Sequence, residues 1–573
     1  MTEATVLKIA SKIVPKDKLA KVLKYTRAKR VPLLEYLLDK RFVTEEHFYR
    51  ELARMKKLPF VSLKGKPIRK DILFMVPETV SSARRIIAFD KADSQMKLAT
   101  TEPENLQIFE FIHRKTGLEP KVCLTTPSDI DEALKQFKQS LKAEFEEIAT
   151  TSVTKTDEKE KKKLKELAED LPVIRIVDSL LEHAIFEGAS DVHIEPMEKE
   201  VKVRFRVDGI LKNVMSLPRP AESGVVARIK VLSNLKLDEH RLPQDGRFKI
   251  STKDYKYSVR VSIFPVFDGE KVVMRLLSET AGAVPLDKLG LLPRPFAVTK
   301  RNIKKPHGVI FVTGPTGSGK TTTLYSIMSI LNKPGVNIAT VEDPIEYRMP
   351  GINQSQVNAR IGFTFARGLR SLLRQDPDII MVGEIRDPET ADIAINAAMT
   401  GHLVLSTLHT NDAVTSLPRL IDMGVPTFLV AFTTNMIIAQ RLVRKICKKC
   451  MKPYKLDKKQ IAEIQKLFDT KAILETLKRE KILKPTDTLT SLKFYHGEGC
   501  RQCNNDGYKG RIGIFEVLEV TRTISDLIHK QARAEELEDA AQKQKMITLV
   551  EDGFIKAVKG MTTLEEILRV TKE

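Results

Sequence analysis

This sequence predicts a multidomain α/β protein whose last half is built on a parallel sheet, and three observations predict it. At 573 residues the chain exceeds what one hydrophobic core holds, at roughly 100 to 200 residues per domain. From Val309 onward, apolar runs of four to six residues alternate with helical stretches, in 309-VIFVTG-314, 337-NIATVED-343, 379-IIMVGE-384 and 402-HLVLSTL-408. Short apolar runs separated by helices mark a parallel sheet covered on both faces. Earlier stretches instead mix helical periodicity with strands of alternating apolar and charged residues, the pattern of smaller α+β domains with one wet sheet face.

Residues 1–140 read as the first α+β domain. In 33-LLEYLLDKRFVTEEHFYRELARM-55, Leu34, Leu37 and Leu38 share one helical face, and Phe48 and Leu52 share another. Thr44, ahead of Glu45 and Glu46, is placed to start the second helix. The runs 57-KLPFVSL-63 and 85-RIIAFD-90 read as short strands. Residues 141–171 are rich in charge and poor in aromatics, so they read as a linker. A second α+β domain over 172–282 opens with a helix in 174-IRIVDSLLEHAIFEG-188 and continues through the strands 201-VKVRFRVDGIL-211 and 257-YSVRVSIF-264. The parallel-sheet domain takes 283–573, with a cysteine-bearing subdomain over 441–512 inside it.

Apolar residues at 42% and charged residues at 30% exclude a disordered chain. The opening MTEATVLKIASKIV has no basic region, adequate apolar core or small-residue cleavage site, so it reads as no secretory signal and the cytoplasm is expected. The longest uncharged run, 423-MGVPTFLVAFTTNMIIAQ-440, is interrupted by Pro426, Thr427, Thr433, Thr434, Asn435 and Gln440. Spanning a bilayer takes about 20 apolar residues, so a buried helix is expected there instead. The net charge of +21 suits nucleic acid, an anionic membrane face or an acidic protein partner. It is concentrated, because Arg441 to Cys503 holds 17 Lys and Arg against 7 Asp and Glu. Such a charge run reads first as a solvated face, and alternatively as a surface for anionic lipid headgroups or an acidic protein loop.

The strand 309-VIFVT-313 runs into 314-GPTGSGKTTTLYSI-327, which has the G-x-x-x-x-G-K-T spacing. Gly314, Gly317 and Gly319 let the backbone curl until its N–H groups face phosphate, and the helix that follows turns its positive end to the anion. Lys320 would reach the β- and γ-phosphates and Thr321 would hold Mg²⁺, so this is a nucleoside triphosphate site. Hydrolysis also needs carboxylates at the ends of neighbouring strands. Two clusters qualify, Glu342, Asp343 and Glu346 in 341-VEDPIEY-347 and Glu384 in 379-IIMVGEIRD-387.

The stretch 400-TGHLVLSTLHTND-412 opens a third strand of this sheet. His409 falls at the carboxylate rim, where it could sense or bond the γ-phosphate, whereas His402 at the other end suits a structural hydrogen bond. They are no metal pair, since strand residues seven apart lie on opposite faces and about 23 Å from each other. Four of the five cysteines form 447-CKKC-450 and 500-CRQC-503. Two C-x-x-C turns give Cys447, Cys450, Cys500 and Cys503 as four thiolates for one tetrahedral zinc ion of structural type. The 49 residues between the pairs include the lysine-rich helical stretch 456-LDKKQIAEIQKLFDTKAILETLKREKIL-483, and Cys123 reads as core filler.

Taken together, these residues resemble the secretion ATPase superfamily, and within it the assembly ATPases of type II secretion and the extension motors of type IV pili. GPTGSGKTT is similar to its Walker A, TVEDPIE to its aspartate box, DPDIIMVGEIRD to its Walker B and TGHLVLSTLHTND to its histidine box. The resemblance implies a RecA-like P-loop ATPase core with a parallel sheet, two smaller α+β domains before it, and a zinc-binding tetracysteine insertion. It gives the nucleotide Gly314, Pro315, Thr316, Gly317, Ser318, Gly319, Lys320, Thr321 and Thr322. As in the family, Gly383 stands where most P-loop ATPases place an acid, leaving Glu384 as the catalytic glutamate, with Glu346 as an essential box residue. Both remain candidates for polarising water.

Upstream, 189-ASDVHIEP-196, 243-PQDGRF-248, 258-SVRVS-262 and 270-EKVVMRLL-277 are similar to the family's second N-terminal domain, which implies that Arg260 and Arg275 reach the phosphates of an adjacent nucleotide. Residues 33–138 resemble the first N-terminal domain. Some relatives bind cyclic di-GMP there through glycine-containing repeats, but 30-RVPLLEYLLDKRFV-43 has Pro32 and Arg41 at those glycine positions, which leaves a membrane-anchored assembly protein as the implied partner.

The family implies a homohexamer with ATP, Mg²⁺ and Zn²⁺, peripheral at the inner face of the cytoplasmic membrane, acting on an inner-membrane platform protein. The competing readings are a DNA translocase or DNA-uptake ATPase on the same core and a non-hydrolysing scaffold. Against the first stands the absence of any tryptophan for base stacking, which makes nucleic acid an unexpected partner. Against the second stand Lys320, Glu346 and Glu384 together.

Overall fold

The computed structural model describes residues 3–571 except 30–31, 41, 77–79, 82–83, 93, 137–166, 169, 253–254, 280–281 and 501–502. The linker read over 141–171 therefore lies almost wholly outside the described residues. The chain divides into two compact units, Met1–Leu276 and Leu277–Glu573.

The first unit holds two modules in contact. Helices Glu3–Ile13, Lys16–Lys29, Leu33–Asp39 and Glu45–Lys56 pack around Leu37, Phe48 and Leu52. Thr44 caps the last of them, its hydroxyl accepting the His47 N–H at 3.3 Å. Strands β1 (Ile86–Ala92), β2 (Gln95–Thr100) and β3 (Glu119–Leu124) follow, β1 antiparallel and β3 parallel to β2. Residues 57–63, expected to be a strand, make only an isolated bridge from Phe60 to Leu124. Pro59 has no N–H to give a ladder, and Lys57 is left-handed at φ 55°, closing the preceding helix.

The second module begins with helix Leu171–Phe186. Its strands are β4 (Asp191–Pro196), β5 (Glu200–Val207), β6 (Ile210–Pro218), β7 (Gln244–Ser251), β8 (Lys256–Val266) and β9 (Gly269–Ser278), in the order β6-β5-β4-β9-β8-β7. The run 201–211, expected as one strand, is split by Asp208 and Gly209, both at positive φ, into the β5–β6 hairpin. An ion pair between Lys115 and Glu182, another between Arg84 and Glu187 at 2.7 Å, and rings of Phe111 and Phe186 with centroids 4.9 Å apart join the modules.

The second unit is built on β10 (Gly308–Thr313), β11 (Ile338–Glu342), β12 (Asn353–Gln356), β13 (Ile379–Val382), β14 (Leu403–Leu408), β15 (Thr434–Ile446) and, after a small β16 (Met451–Tyr454) and β17 (Phe494–Gly497) pair, β18 (Tyr508–Glu519). The main sheet has the order β12-β11-β13-β14-β10-β15-β18, parallel throughout except for β18. Every residue of β10, β11, β13 and β14 is buried, with hydrophobic cores on both faces.

The expected buried helix over 423–440 is only half a helix. Thr427–Thr433 is helical, and from Thr434 the chain becomes β15. β-branched Thr434, Ile437 and Ile438 suit a strand, and β15 is paired on both sides, by β10 and by β18. Among the described residues no helix is long and apolar enough to cross a membrane.

The cysteine-bearing insertion adds helices Lys458–Leu467 and Thr470–Arg479, whose apolar faces share a core with Phe554, Ile555 and Ile567 near the C-terminus. Glu566, 1% exposed, accepts the Arg444 backbone N–H at 2.8 Å and hydrogen bonds from the guanidinium groups of Arg444 and Arg569. Burial opposes its ionisation, yet these donors hold the carboxyl at about 2. A depressed carboxylate contributes stability that is present above its ordinary value near 4.5 and is lost as the pH falls toward about 2. Glu566→Gln is therefore expected to cost about 2 kcal/mol at neutral pH, and the gap to the parent, followed by denaturant unfolding, should close below the ordinary glutamate range.

Candidate functional site

Parallel strands all end on one edge, so the loops after β10, β11, β13 and β14 gather at a single rim. After β10, Gly314, Gly317 and Gly319 take φ of 139°, 80° and 91°, conformations that L side chains rarely adopt. A Cβ on Gly314 would also fall 2.4 Å from the Gln440 carbonyl oxygen. The curl ends at helix Lys320–Leu331, whose first turn carries Lys320 and a half-buried Thr321. Lys320 Nζ donates to the carbonyls of Gly314 at 2.7 Å and Pro315 at 3.2 Å. A glycine curl too tight for side chains, opening a helix with a lysine and a threonine, fits a nucleotide phosphate chain with Mg²⁺ at Thr321.

Glu384 follows β13 and is 9% exposed. Its Oε2 meets Arg386 Nε at 2.6 Å and His409 Nε2 at 3.2 Å. Burial pulls the Lys320 ammonium below the usual lysine range, and Glu384 opposes that pull, so lysine, glutamate and histidine act on one small volume. The loop holding Glu384 is pinned on both sides, by Gly383 N–H to the Val341 carbonyl at 2.8 Å and Ile385 N–H to the Thr407 carbonyl at 3.1 Å. A Cβ on Gly383 would sit 3.3 Å from Glu342 Cα, so an acid at this position would crowd β11.

The aspartate-box carboxylates separate by environment. Glu342 is 2% exposed and accepts hydrogen bonds from Tyr325, from Thr340 at 2.6 Å and from Gln354 at 3.0 Å. Burial pushes its carboxyl above the usual range, the three donors oppose this, and the charge of Glu346 adds to it. Glu342 thus ties helix Lys320–Leu331 to β11, while Glu346 stays half-buried and Asp343 exposed on the loop beyond. His402, at the opposite strand end, belongs to no metal-ligating cluster among the described residues, and its Nδ1 bonds the Ala397 carbonyl at 2.9 Å.

Arg260 and Arg275 belong to the first unit, on β8 and β9. Alternate residues of both strands enter the core, and the two arginines fall on the other face of the sheet. Arg275 Nε donates to Asp191 at 2.9 Å, which aims it along the sheet.

The four thiols converge within 4.8 Å of one another, with Sγ separations of 3.7 Å for Cys447–Cys500, 3.8 Å for Cys450–Cys503 and 3.7 Å for Cys500–Cys503. A tetrahedron with Zn–S bonds of about 2.3 Å has edges of about 3.8 Å, so this donor set fits zinc, whereas a disulfide needs about 2.05 Å. Burial opposes ionisation of Cys503, but the N–H groups of Cys500 and Gly507 reach its sulfur at 3.2 and 3.3 Å and favour the thiolate. Cys123 is buried and free, as expected of core filler.

Sequence reading passed over Gln440, treating it as one of the polar breaks in the 423–440 run. Its amide reaches the 314–319 loop, donating to the Ser318 carbonyl at 2.6 Å and accepting from Thr323 Oγ1 at 2.6 Å. A lone glutamine closing an uncharged run was the available signal. Glu516 was also missed. It is fully buried, its carboxyl is pushed up to about 7 by burial, and it accepts the Ala413 N–H at 2.8 Å, fixing the loop after His409.

The family described as "Type II/IV secretion system protein" matches residues 166–569, and the MshEN domain matches 57–144. The type IV pilus assembly ATPase PilB of Myxococcus xanthus is 40% identical over 523 residues, covering 90% of this chain and 89% of that protein. The type II secretion system ATPase E of Vibrio cholerae is 48% identical over 413 residues, covering 72% of this chain and 77% of that one. The X-ray structure of the ATPase DotB of Legionella pneumophila superimposes with a TM-score of 0.50 at 22% identity, covering 69% of this chain and 95% of that chain, a likeness of fold alone.

The thiol geometry sets a direct test. Purified protein is expected to retain about one zinc ion per chain, measured by atomic absorption after gel filtration, and Cys450→Ser with Cys503→Ser should lose it.

Proposed function

Because this chain belongs to the type II/IV secretion system protein family, we propose that it is an ATP-hydrolysing motor that powers assembly of a type IV pilus or a type II secretion pseudopilus. The observation that carries this reading is Glu384, held at the end of β13 between His409 and Arg386 and acting on Lys320.

In this mechanism the N–H groups of the 314–319 curl and the start of the following helix receive the phosphates. Lys320 balances charge on the β- and γ-phosphates, and Thr321 would hold Mg²⁺, which supplies further charge neutralisation. Glu384 orients the attacking water and accepts its proton. His409 shares the Oε2 of Glu384 and keeps that carboxylate turned toward the γ-phosphate. Glu346 is assigned a supporting role at the aspartate box. The chain acts as a homohexamer, with Arg260 and Arg275 of one subunit stabilising the phosphates bound by the next, where a fixed charge is worth orders of magnitude in rate.

The hexamer sits peripherally at the inner face of the cytoplasmic membrane. It works on an inner-membrane platform protein, and the first module contacts a membrane-anchored assembly protein. Cys447, Cys450, Cys500 and Cys503 would hold a zinc ion, which would tie the two ends of the insertion together. A second reading, a DNA-stimulated translocase on the same core, is favoured by one feature, the excess of ten positive charges between Arg441 and Cys503.

Steady-state ATP hydrolysis by the full chain tests both readings. The motor predicts activity that falls by about a hundredfold or more in Glu384→Gln and is indifferent to single- or double-stranded DNA. Strong stimulation by DNA would transfer the assignment to the translocase, and hydrolysis undiminished in Glu384→Gln would overturn the role given to that residue.

A further inference from the structure

A loop of six residues with three glycines at positive φ has little to hold its shape. Glycine loses more backbone freedom on ordering than any other residue, and no side chain of its own packs to offset the loss. The N–H groups of such a loop bind phosphate well only if they point one way before the ligand arrives. Something outside the loop must therefore fix it, and the described contacts identify the group.

Gln440 is 2% exposed and stands on β15, paired with β10 on one side and β18 on the other. Its backbone carbonyl abuts Gly314, where a Cβ would come within 2.4 Å, and its side-chain nitrogen abuts Gly319, where a Cβ would come within 2.8 Å. The carboxamide then bridges the two ends of the phosphate-binding segment. Nε2 donates to the Ser318 carbonyl and Oε1 accepts from Thr323 Oγ1, each at 2.6 Å. The orientation of this amide is fixed by chemistry, because a carbonyl oxygen can only accept and so must face the NH₂ group. Thr323 stands in the same first turn as Lys320 and Thr321. One buried side chain thereby sets the loop against the helix that carries both phosphate-facing residues.

We propose that Gln440 is a positioning residue for nucleotide binding, clamping the 314–319 loop and the start of helix Lys320–Leu331 into a single preset phosphate cradle. The proposal rests on the reading of residues 314–321 as a nucleotide site. The side-chain hydrogen bonds of Gln440 go to Ser318 and Thr323, so its effect passes through the shape of the loop and falls on ground-state and transition-state binding alike. That signature raises KM and the nucleotide Kd with kcat little changed. A side chain that merely stabilised the fold would instead lower the active fraction and leave KM and Kd where they were.

The full-length protein, its Gln440→Met variant, which keeps the volume without the hydrogen bonds, and its Thr323→Val variant would be titrated with a fluorescent ADP analogue and assayed for KM and kcat. A buried hydrogen-bonding group left without its partner is worth about a factor of ten in an equilibrium constant. Gln440→Met is accordingly expected to raise Kd and KM about tenfold, with kcat within about twofold. Thr323→Val should give a smaller rise, and the double variant should be no worse than Gln440→Met alone, because both changes break one bridge. Unchanged Kd in Gln440→Met, or fully additive effects of the two substitutions, would overturn the proposal. Should Gln440→Met fail to fold, Thr323→Val with an unaltered Kd would overturn it equally. Failure of the parent itself to bind the ADP analogue is a different result, which removes the nucleotide reading and this inference with it.

Discussion

The position of β10 between β14 and β15 is the constraint on which the rest of the site depends. Its register pairs Thr313 with Leu408 on one side and with Ala439 on the other. The residues that come next, Gly314, His409 and Gln440, are brought together by that alignment and by nothing local to their own segments. Side chains alternate along a strand, so a slip of one residue in either pairing would turn Gln440 to the opposite face. The ladder is buried on both sides, where a mispaired backbone group has no water to recover it, and this fixes the register. Thr313 adds a lock at the same height, its hydroxyl donating to the Leu408 carbonyl at 3.1 Å and accepting the Thr410 N–H at 2.9 Å.

Much of this was legible in the sequence because the chemistry imposes spacing. A phosphate loop needs its glycines, lysine and threonine in order, a zinc turn needs two residues between thiols, and strands buried on both faces carry little charge. What stayed illegible has physical reasons too. An uncharged apolar run reads alike as a buried helix or a buried strand, so 423–440 could not show where helix Thr427–Thr433 gives way to β15. The Asp208–Gly209 turn hid inside an alternating run because the period continues across a two-residue hairpin. Among three acids of one box, only burial distinguished Glu342, and burial is decided by elements far away in sequence.

The acids illustrate how one fold gives like residues unlike work. Glu342 spends its hydrogen-bonding capacity on Tyr325, Thr340 and Gln354, which makes it a cross-link between helix Lys320–Leu331 and β11. Glu384, buried to a similar degree, instead faces a histidine and two cations. The first environment consumes hydrogen-bonding capacity and the second surrounds a carboxylate with charged partners.

β15 is completed from both directions of the chain. Its inner neighbour β10 is made early, but its outer neighbour β18 starts at Tyr508, and the residues that grip its far end, Met561 through its carbonyl to Ile446 N–H and Glu566 to Arg444, come later still along the chain. Domains generally fold as units while the ribosome is still at work, the N-terminal ones first. Here the nascent core carries a long apolar strand with one edge open until β18 has been made. Such an edge invites pairing with another chain. The interval between making β15 and making its cover is therefore when this protein is most exposed to aggregation, and when a chaperone would have most to do.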